Sequence, residues 1–264
     1  MARAEYKLVK SAPLHTPDAS LPPGDHRFYT QKDVWYDNNG PYIAITLENA
    51  TVKLYGMNVP KDQPDNPQAT IFRVDVSTPE LFKPAARVLA RMILQSDPDA
   101  LVTPRSSKSE LCIQRAVALA NRMRQQQGKA PVPLFQLLGA TPDQGLPNIP
   151  EEDITTYRSI VQEKVMAVNP HDKEALKGMN GKRIAAIDDG ISEGGTLQAM
   201  QTTLNRLLEL NPQREIPAIF LFREVALIDD HAPEDVPLPS PTIQYAFTIP
   251  ALIPPIPQFT QPQS

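Results

Sequence analysis

The chain has 264 residues, of which 41% are hydrophobic and 21% charged, and a formal net charge of -4; it can bury one substantial core and has no general attraction to nucleic acid. A single cysteine, Cys112, excludes an intramolecular disulfide, and the scattered His15, His26, His171 and His231 lack metal-ligand spacing. No apolar run reaches membrane-spanning length and no signal-peptide order opens the chain, so a cytoplasmic protein independent of membranes is expected. The 29 prolines crowd into the first 25 residues, 59–67, 142–150 and 233 onward, which marks these stretches as loops and tails.

Residues 1–33 show no sustained period and read as an irregular arm. Residues 42–47 and 51–55 are β-rich runs split by Glu48-Asn49-Ala50, the pattern of a hairpin. Trp35, Tyr36 and Tyr42 beside it are expected to cover the core rather than to stack on a ligand. After the proline loop, residues 70–76 predict a strand. Ser77-Thr78-Pro79-Glu80 then predicts a helix start, with Pro79 near the first turn and Glu80 three residues after Ser77. Leu81, Ala85, Val88, Leu89, Met92 and Ile93 follow at helical spacing and form its core face.

The short apolar run 100–103 fits a buried parallel strand. It leads through the polar loop Pro104-Arg105-Ser106-Ser107-Lys108-Ser109 into an amphipathic helix containing Leu111, Ala116, Leu119 and Met123. Cys112 lies in that pattern and reads as a structural thiol. Residues 131–136 predict another strand. The Gly- and Pro-rich stretch 137–150 and the segment to Val168 form a long connection, of a length usually reserved for function or disorder.

The chain is organised around residues 184–196, Ile-Ala-Ala-Ile-Asp-Asp-Gly-Ile-Ser-Glu-Gly-Gly-Thr. Four apolar residues predict a buried strand, and Gly-Gly-Thr opens a helical pattern running to about Leu210. Asp188 and Asp189 therefore fall at the carboxyl end of a strand, where open α/β sheets bind ligands. Residues 190–196 can wrap an anion with backbone N–H groups and the hydroxyls of Ser192 and Thr196. The two carboxylates would repel a phosphate, so they suit sugar hydroxyls or a divalent cation. A phosphorylated sugar satisfies both halves; an acid pair ending a strand beside an ordinary glycine turn is the plainer account. Beyond it, residues 216–222 predict a buried strand ending at Arg223-Glu224, and residues 242–249 an edge strand before a tail.

An apolar strand, Asp-Asp, a few mixed residues and Gly-x-Thr resemble the phosphoribosyl pyrophosphate (PRPP) motif of the type I phosphoribosyltransferases. Two positions depart from the pattern: Gly190 stands where an aliphatic residue is usual, and Glu193 where a small residue or Thr is usual. The resemblance implies that Asp188 and Asp189 are the catalytic pair on the ribose hydroxyls, that Gly190, Ile191, Ser192, Glu193, Gly194, Gly195 and Thr196 hold the 5-phosphate, and that Arg105, Ser106, Ser107 and Lys108 form a pyrophosphate loop. It further implies Arg158 and Lys164 as cations of a flexible lid, and magnesium, which Asp188 and Asp189 would meet only through PRPP.

On this resemblance the fold is α/β, a mainly parallel central sheet flanked by helices, with residues 70–228 as the phosphoribosyltransferase-like core. Residues 34–69 form a β-hairpin hood region and 229–264 a Pro-rich C-terminal segment. The implied activity is pentosyl transfer from PRPP to a nucleobase with release of pyrophosphate, as in nucleotide salvage, with lid spacing tilting the acceptor towards a purine. Dimers are common in the family and the resemblance allows a homodimer, which the residues themselves do not show. Two alternatives remain at this level: a non-catalytic regulator that senses PRPP, and an α/β module whose acid pair holds magnesium alone.

Overall fold

A computed structural model describes residues 27–28, 34–48, 50–60, 68–72, 74–105, 108–158, 163–191, 194–209, 215–226 and 242–251. The expected arm at 1–26, the proline loop at 61–67 and the tail at 252–264 lie outside the described residues. A two-residue strand, β1 (Arg27–Phe28), stands inside the stretch expected to be irregular.

The expected hairpin is part of a four-stranded antiparallel sheet, with β2 (Val34–Asp37), β3 (Gly40–Leu47), β4 (Ala50–Pro60) and β5 (Gln68–Phe72) adjacent in chain order. Period-2 alternation sets its two faces. Ile43, Ile45, Leu47, Val52 and Leu54 are buried, and the residues between them face outward. That alternation corrects the expectation for two aromatics: Tyr42 pairs across the sheet with Trp35 and Tyr55, on the face opposite Ile43, and both Trp35 and Tyr42 are only half-buried. The core side is already filled by branched aliphatics. On the outer face Lys53 Nζ lies 4.2 Å from the Tyr42 ring centroid and donates to Asp37 at 2.7 Å, while the Tyr55 hydroxyl donates to the same carboxylate at 2.9 Å. Burial pushes the Asp37 carboxyl up, but the bonds from Lys53, Asn39 and Tyr55 hold it below its ordinary value.

Helix α1 (Pro79–Ser96) starts at Pro79, whose missing N–H costs nothing there. The expected capping box does not form: the Ser77 hydroxyl bonds Asp75 instead, and Thr78 is an N-cap without a side-chain cap bond. All six residues expected on its inner face are buried. The chain continues through β6 (Ala100–Pro104), α2 (Glu110–Gln126), β7 (Leu134–Ala140), the edge pair β8 (Thr155–Arg158) and β9 (Glu163–Val168), a short α3 (Lys173–Lys177), β10 (Ile184–Ile191), α4 (Gly195–Leu207), β11 (Ala218–Ala226) and β12 (Ile243–Ala251).

The large sheet has the order β1-β12-β11-β10-β6-β7-β9-β8. Strands from β1 to β7 pair in parallel, while β9 and β8 return antiparallel. The sheet is therefore mainly parallel and flanked by helices, as the sequence predicts. One strand differs: β12 is not at the edge, because β1 pairs outside it. Parallel strands buried on both faces divide their side chains between two cores. Leu101, Ala185, Ile187 and Ile219 pack with α1, α2 and the inner face of the small sheet, whereas Ala100, Val102, Ala186, Ala218 and Phe220 pack with α4.

The amino ends of these strands are tied by charge. Asp97 ends α1 with φ +46° and pairs with Arg124, with Lys129 at 3.2 Å and with Arg183 at 3.4 Å. The bonds from Lys129 and Arg124 hold its carboxyl below its ordinary value, so its contribution to stability is fully present above about pH 4 and lost as pH falls through the lowered value. Asp97→Asn, which tolerates the same backbone conformation, is expected to lower the urea midpoint at pH 7 with an unchanged m-value. The gap to the unsubstituted chain should close on acidification; a constant gap would show that charge is not its source.

Candidate functional site

The site follows from the sheet order. β10 lies between β6 and β11, and β6 stops at Pro104 while β10 runs on to Ile191. The loop that leaves β6 therefore closes against the end of β10. Its last residue, Ser109, is fully buried, and its hydroxyl donates to Asp188 Oδ1 at 3.3 Å. The Asp189 backbone N–H donates to the same oxygen at 2.8 Å.

Asp188 is buried, 8% exposed, and Asp189 is half-buried. Loss of water and then the Asp189 charge push the Asp188 carboxyl well above its ordinary value. Burial also raises Asp189, opposed by its bond with Asp188, by backbone N–H groups and by the Lys108 ammonium. Lys108 is exposed yet close enough for its charge to act on Asp189. Cys112, just inside α2, is pushed up to about 12 by burial and by Asp189, which makes it an inert thiol, as expected.

Beyond the acids, Ile191 is buried in the core on the α4 side. Gly194 is the N-cap of α4 with φ +83°, a conformation that admits glycine at no cost. As a glycine it has no side chain to cap the helix, and the first N–H groups of a helix have no partner within it. At Gly195 the constraint is space: the Arg158 carbonyl oxygen of β8 occupies the position a Cβ would take. The Tyr157 side chain of the same strand hydrogen-bonds Thr196 and lies within the field of Asp188; burial and that field raise its phenol, and the Thr196 bond opposes them. Farther along, Thr203 of α4 and Thr155 of β8 share a bond of 2.9 Å. The edge strand is thus laid along the helix that begins at the glycine turn.

Gly190 has a different reason. The tip of the Phe222 ring, from the residue paired with it on β11, fills the space of a Cβ at this position. Phe222 stacks on Phe247 of β12 at 6.0 Å. An aromatic ring from the neighbouring strand thus takes the volume that a side chain at position 190 would need. Next to it Arg223 is buried, with its guanidinium 5.8 Å from the Tyr245 ring centroid.

Of the residues predicted from sequence, Asp188, Asp189, Lys108, Gly190, Ile191, Gly194, Gly195 and Thr196 converge at one sheet edge. Arg105 follows β6 and is exposed; Arg158 is exposed and Lys164, opposite Tyr157 in the strand pair, is half-buried. Ser106, Ser107, Ser192 and Glu193 lie outside the described residues. Three contributors were missed. Ser109 precedes a helix and carries the ordinary N-cap signal, but its hydroxyl serves Asp188. Tyr157 is betrayed by alternation, since Thr155 and Tyr157 point inward while Thr156 and Arg158 are exposed. Phe222 has no local signal, because its role depends on cross-strand register.

No family model matches the sequence, and no curated protein matches it. Among solved structures, the chain is similar to an adenine phosphoribosyltransferase from Thermoanaerobacter pseudethanolicus, at 14% identity over 74% of this chain and 95% of that one, with a TM-score of 0.43. It is also similar to a purine phosphoribosyltransferase from Pyrococcus horikoshii, at 16% identity over 64% of this chain and 83% of that one, TM-score 0.36. A third is the adenine phosphoribosyltransferase of Trypanosoma brucei, solved with AMP, pyrophosphate and ribose-5-phosphate, at 17% identity over 64% of each chain, TM-score 0.39.

The Gly190 contact is open to a double-mutant cycle. Gly190→Ala should destabilise the protein by about 1–3 kcal/mol, the usual cost of overpacking. Combined with Phe222→Ala, it should cost less than the sum of the two single changes in urea denaturation. Additive effects would mean that the ring swings aside freely.

Proposed function

We propose that this chain transfers the 5-phosphoribosyl group of PRPP to a nitrogen of a nucleobase, a purine by preference, and releases pyrophosphate. The observation that carries this reading is the meeting of three parts at one carboxyl edge: the acid pair in the turn-ward half of β10, the loop from β6 with Lys108 near enough for its charge to act on Asp189, and the glycine turn opening α4. Sugar hydroxyls suit the acids, a leaving diphosphate suits the basic loop, and a terminal phosphate suits the turn. An isolated strand cap would need only the first.

In this reaction the bond between the anomeric carbon and the pyrophosphate oxygen breaks, its electron pair leaving with pyrophosphate. The base nitrogen supplies the pair for the new carbon–nitrogen bond and gives up its proton to solvent. Positive charge develops on the sugar as the bond breaks, so most of the acceleration comes from positioning and charge compensation. The acid pair orients the ribose through its hydroxyls and places negative charge near the developing cation. Arg105 and Lys108, with Ser106 and Ser107, receive the diphosphate, and residues 190–196, including Ser192 and Glu193, surround the 5-phosphate. Arg158 and Lys164 stand on the strand pair that borders this turn, as lid cations would.

Among the described residues no three His, Cys, Asp or Glu side chains converge as a metal cage. Two adjacent carboxylates fit magnesium that arrives with the substrate rather than a resident ion. Bound there, it would neutralise charge on the diphosphate oxygens.

Calorimetric titration with PRPP and magnesium, followed by pyrophosphate release with a panel of nucleobases, tests the proposal. Binding and release with one base are expected, and binding without release from any base would instead favour a PRPP-sensing regulator. Replacing both acids, Asp188→Asn with Asp189→Asn, should abolish turnover while circular dichroism shows the fold retained. Undiminished turnover would remove the acid pair from the mechanism.

A further inference from the structure

The helix start that the proposed function gives to a phosphate is already engaged by the protein's own chain. β8 lies along α4 and is tied to it at successive levels. Near the carboxyl end of the helix, Arg206 donates to the carbonyl oxygens of Glu152 and Ile154 at 2.7 and 3.1 Å. About one turn nearer the site, the buried Thr203 hydroxyl donates to that of Thr155 at 2.9 Å. About two turns further on, Tyr157 hydrogen-bonds Thr196, and the Arg158 carbonyl oxygen stands where a Cβ on Gly195 would be.

At this last level the strand offers the turn the wrong groups for holding an anion. The Arg158 side chain is exposed and alternates with the half-buried Tyr157, so what meets Gly195 is a carbonyl oxygen, which can only accept hydrogen bonds. A phosphate seated on the first N–H groups of α4 and on Thr196 would bring anionic oxygens against that carbonyl. It would also have to take over the Thr196 hydroxyl from Tyr157. β8 can yield without cost to the central sheet, because it is the edge strand and pairs only with β9.

We propose that β8 in this position is a built-in competitor for the phosphate turn: a ligand's 5-phosphate binds by displacing Tyr157 and the Arg158 carbonyl from the start of α4, and the Thr155–Thr203 bond sets how readily the strand yields. This rests on the phosphoribosyl reading above and adds the regulation of its phosphate subsite. The coupling is reciprocal, so whatever loosens the strand tightens the ligand.

Calorimetry with ribose 5-phosphate, and with magnesium pyrophosphate as a probe of the loop after β6, tests the competition. Tyr157→Phe should tighten ribose 5-phosphate about fivefold, the worth of one hydrogen bond, and leave pyrophosphate unchanged. Thr155→Val combined with Thr203→Val, which alters no group of the turn, should act in the same direction. In the unsubstituted protein, saturation with ribose 5-phosphate should speed amide hydrogen exchange in residues 155–158. Unchanged or weaker ribose 5-phosphate binding in either variant, an equal gain for pyrophosphate, or unchanged or slower exchange in β8 overturns the competition and leaves the phosphoribosyl reading standing. An unsubstituted protein that fails to bind ribose 5-phosphate removes that reading and this proposal with it.

Discussion

Two like charges at the buried end of a central strand constrain everything around them. β10 is flanked by β6 and β11, which are flanked in turn by β7 and β12, so water reaches its end only from the loop side. Asp188 consequently loses most of its hydration, and the adjacent Asp189 charge adds to the cost. The surroundings answer with donors: a backbone N–H, the Ser109 hydroxyl and, for Asp189, the field of Lys108. Two of them, Ser109 and Lys108, are consecutive residues of the loop after β6, far in sequence from the acids. The acid pair thereby fixes where the loop after β6 must end and how α2 must begin.

The same crowding explains the glycines. Gly190 yields its side-chain volume to Phe222, and Gly195 yields its own to the Arg158 carbonyl. In the first case the sheet is tightened between β10 and β11; in the second the edge strand is drawn onto the start of α4. Both contacts lie within a few residues of the acids. Close approach of another group to the glycine, a ring in one case and a carbonyl in the other, rather than turn flexibility, is what the two positions have in common.

Sequence and structure agree most where periodicity is strong and the environment is simple. The face of α1, the fully buried β6 and the apolar half of β10 were all legible, because burial on both sides of a parallel sheet leaves continuous apolar runs. The position of Asp188 and Asp189 near the carboxyl end of a strand was legible because four apolar residues precede them. What was not legible depends on register. Trp35 and Tyr42 could not be assigned a face without knowing that Ile43 and Ile45 already filled the inner one. β12 was expected at an edge because the short β1 carries too little pattern to announce that it pairs there. Ser109 and Tyr157 carry no local signal for their roles, because the contacts that hold Asp188 and Thr196 join elements far apart in sequence.

A purely structural account of residues 184–196 leaves one feature without a reason. A strand that ends under two packed layers is stabilised most simply by apolar residues or by one capped polar group, and a buried ionisable pair is costly even when well bonded. Placing a second acid beside Asp188 adds repulsion that the fold must offset with Ser109, a backbone N–H and a nearby lysine. It also places a partly exposed carboxylate near a helix whose N-cap residue, Gly194, has no side chain to cap it. Local arrangements that oppose stability are expected where a ligand completes them. On the function proposed above, the completing components are hydroxyls for the acid pair and an anion for the turn. A sugar phosphate supplies both in one molecule, and that coincidence, rather than the acid pair alone, distinguishes this strand end from an ordinary one.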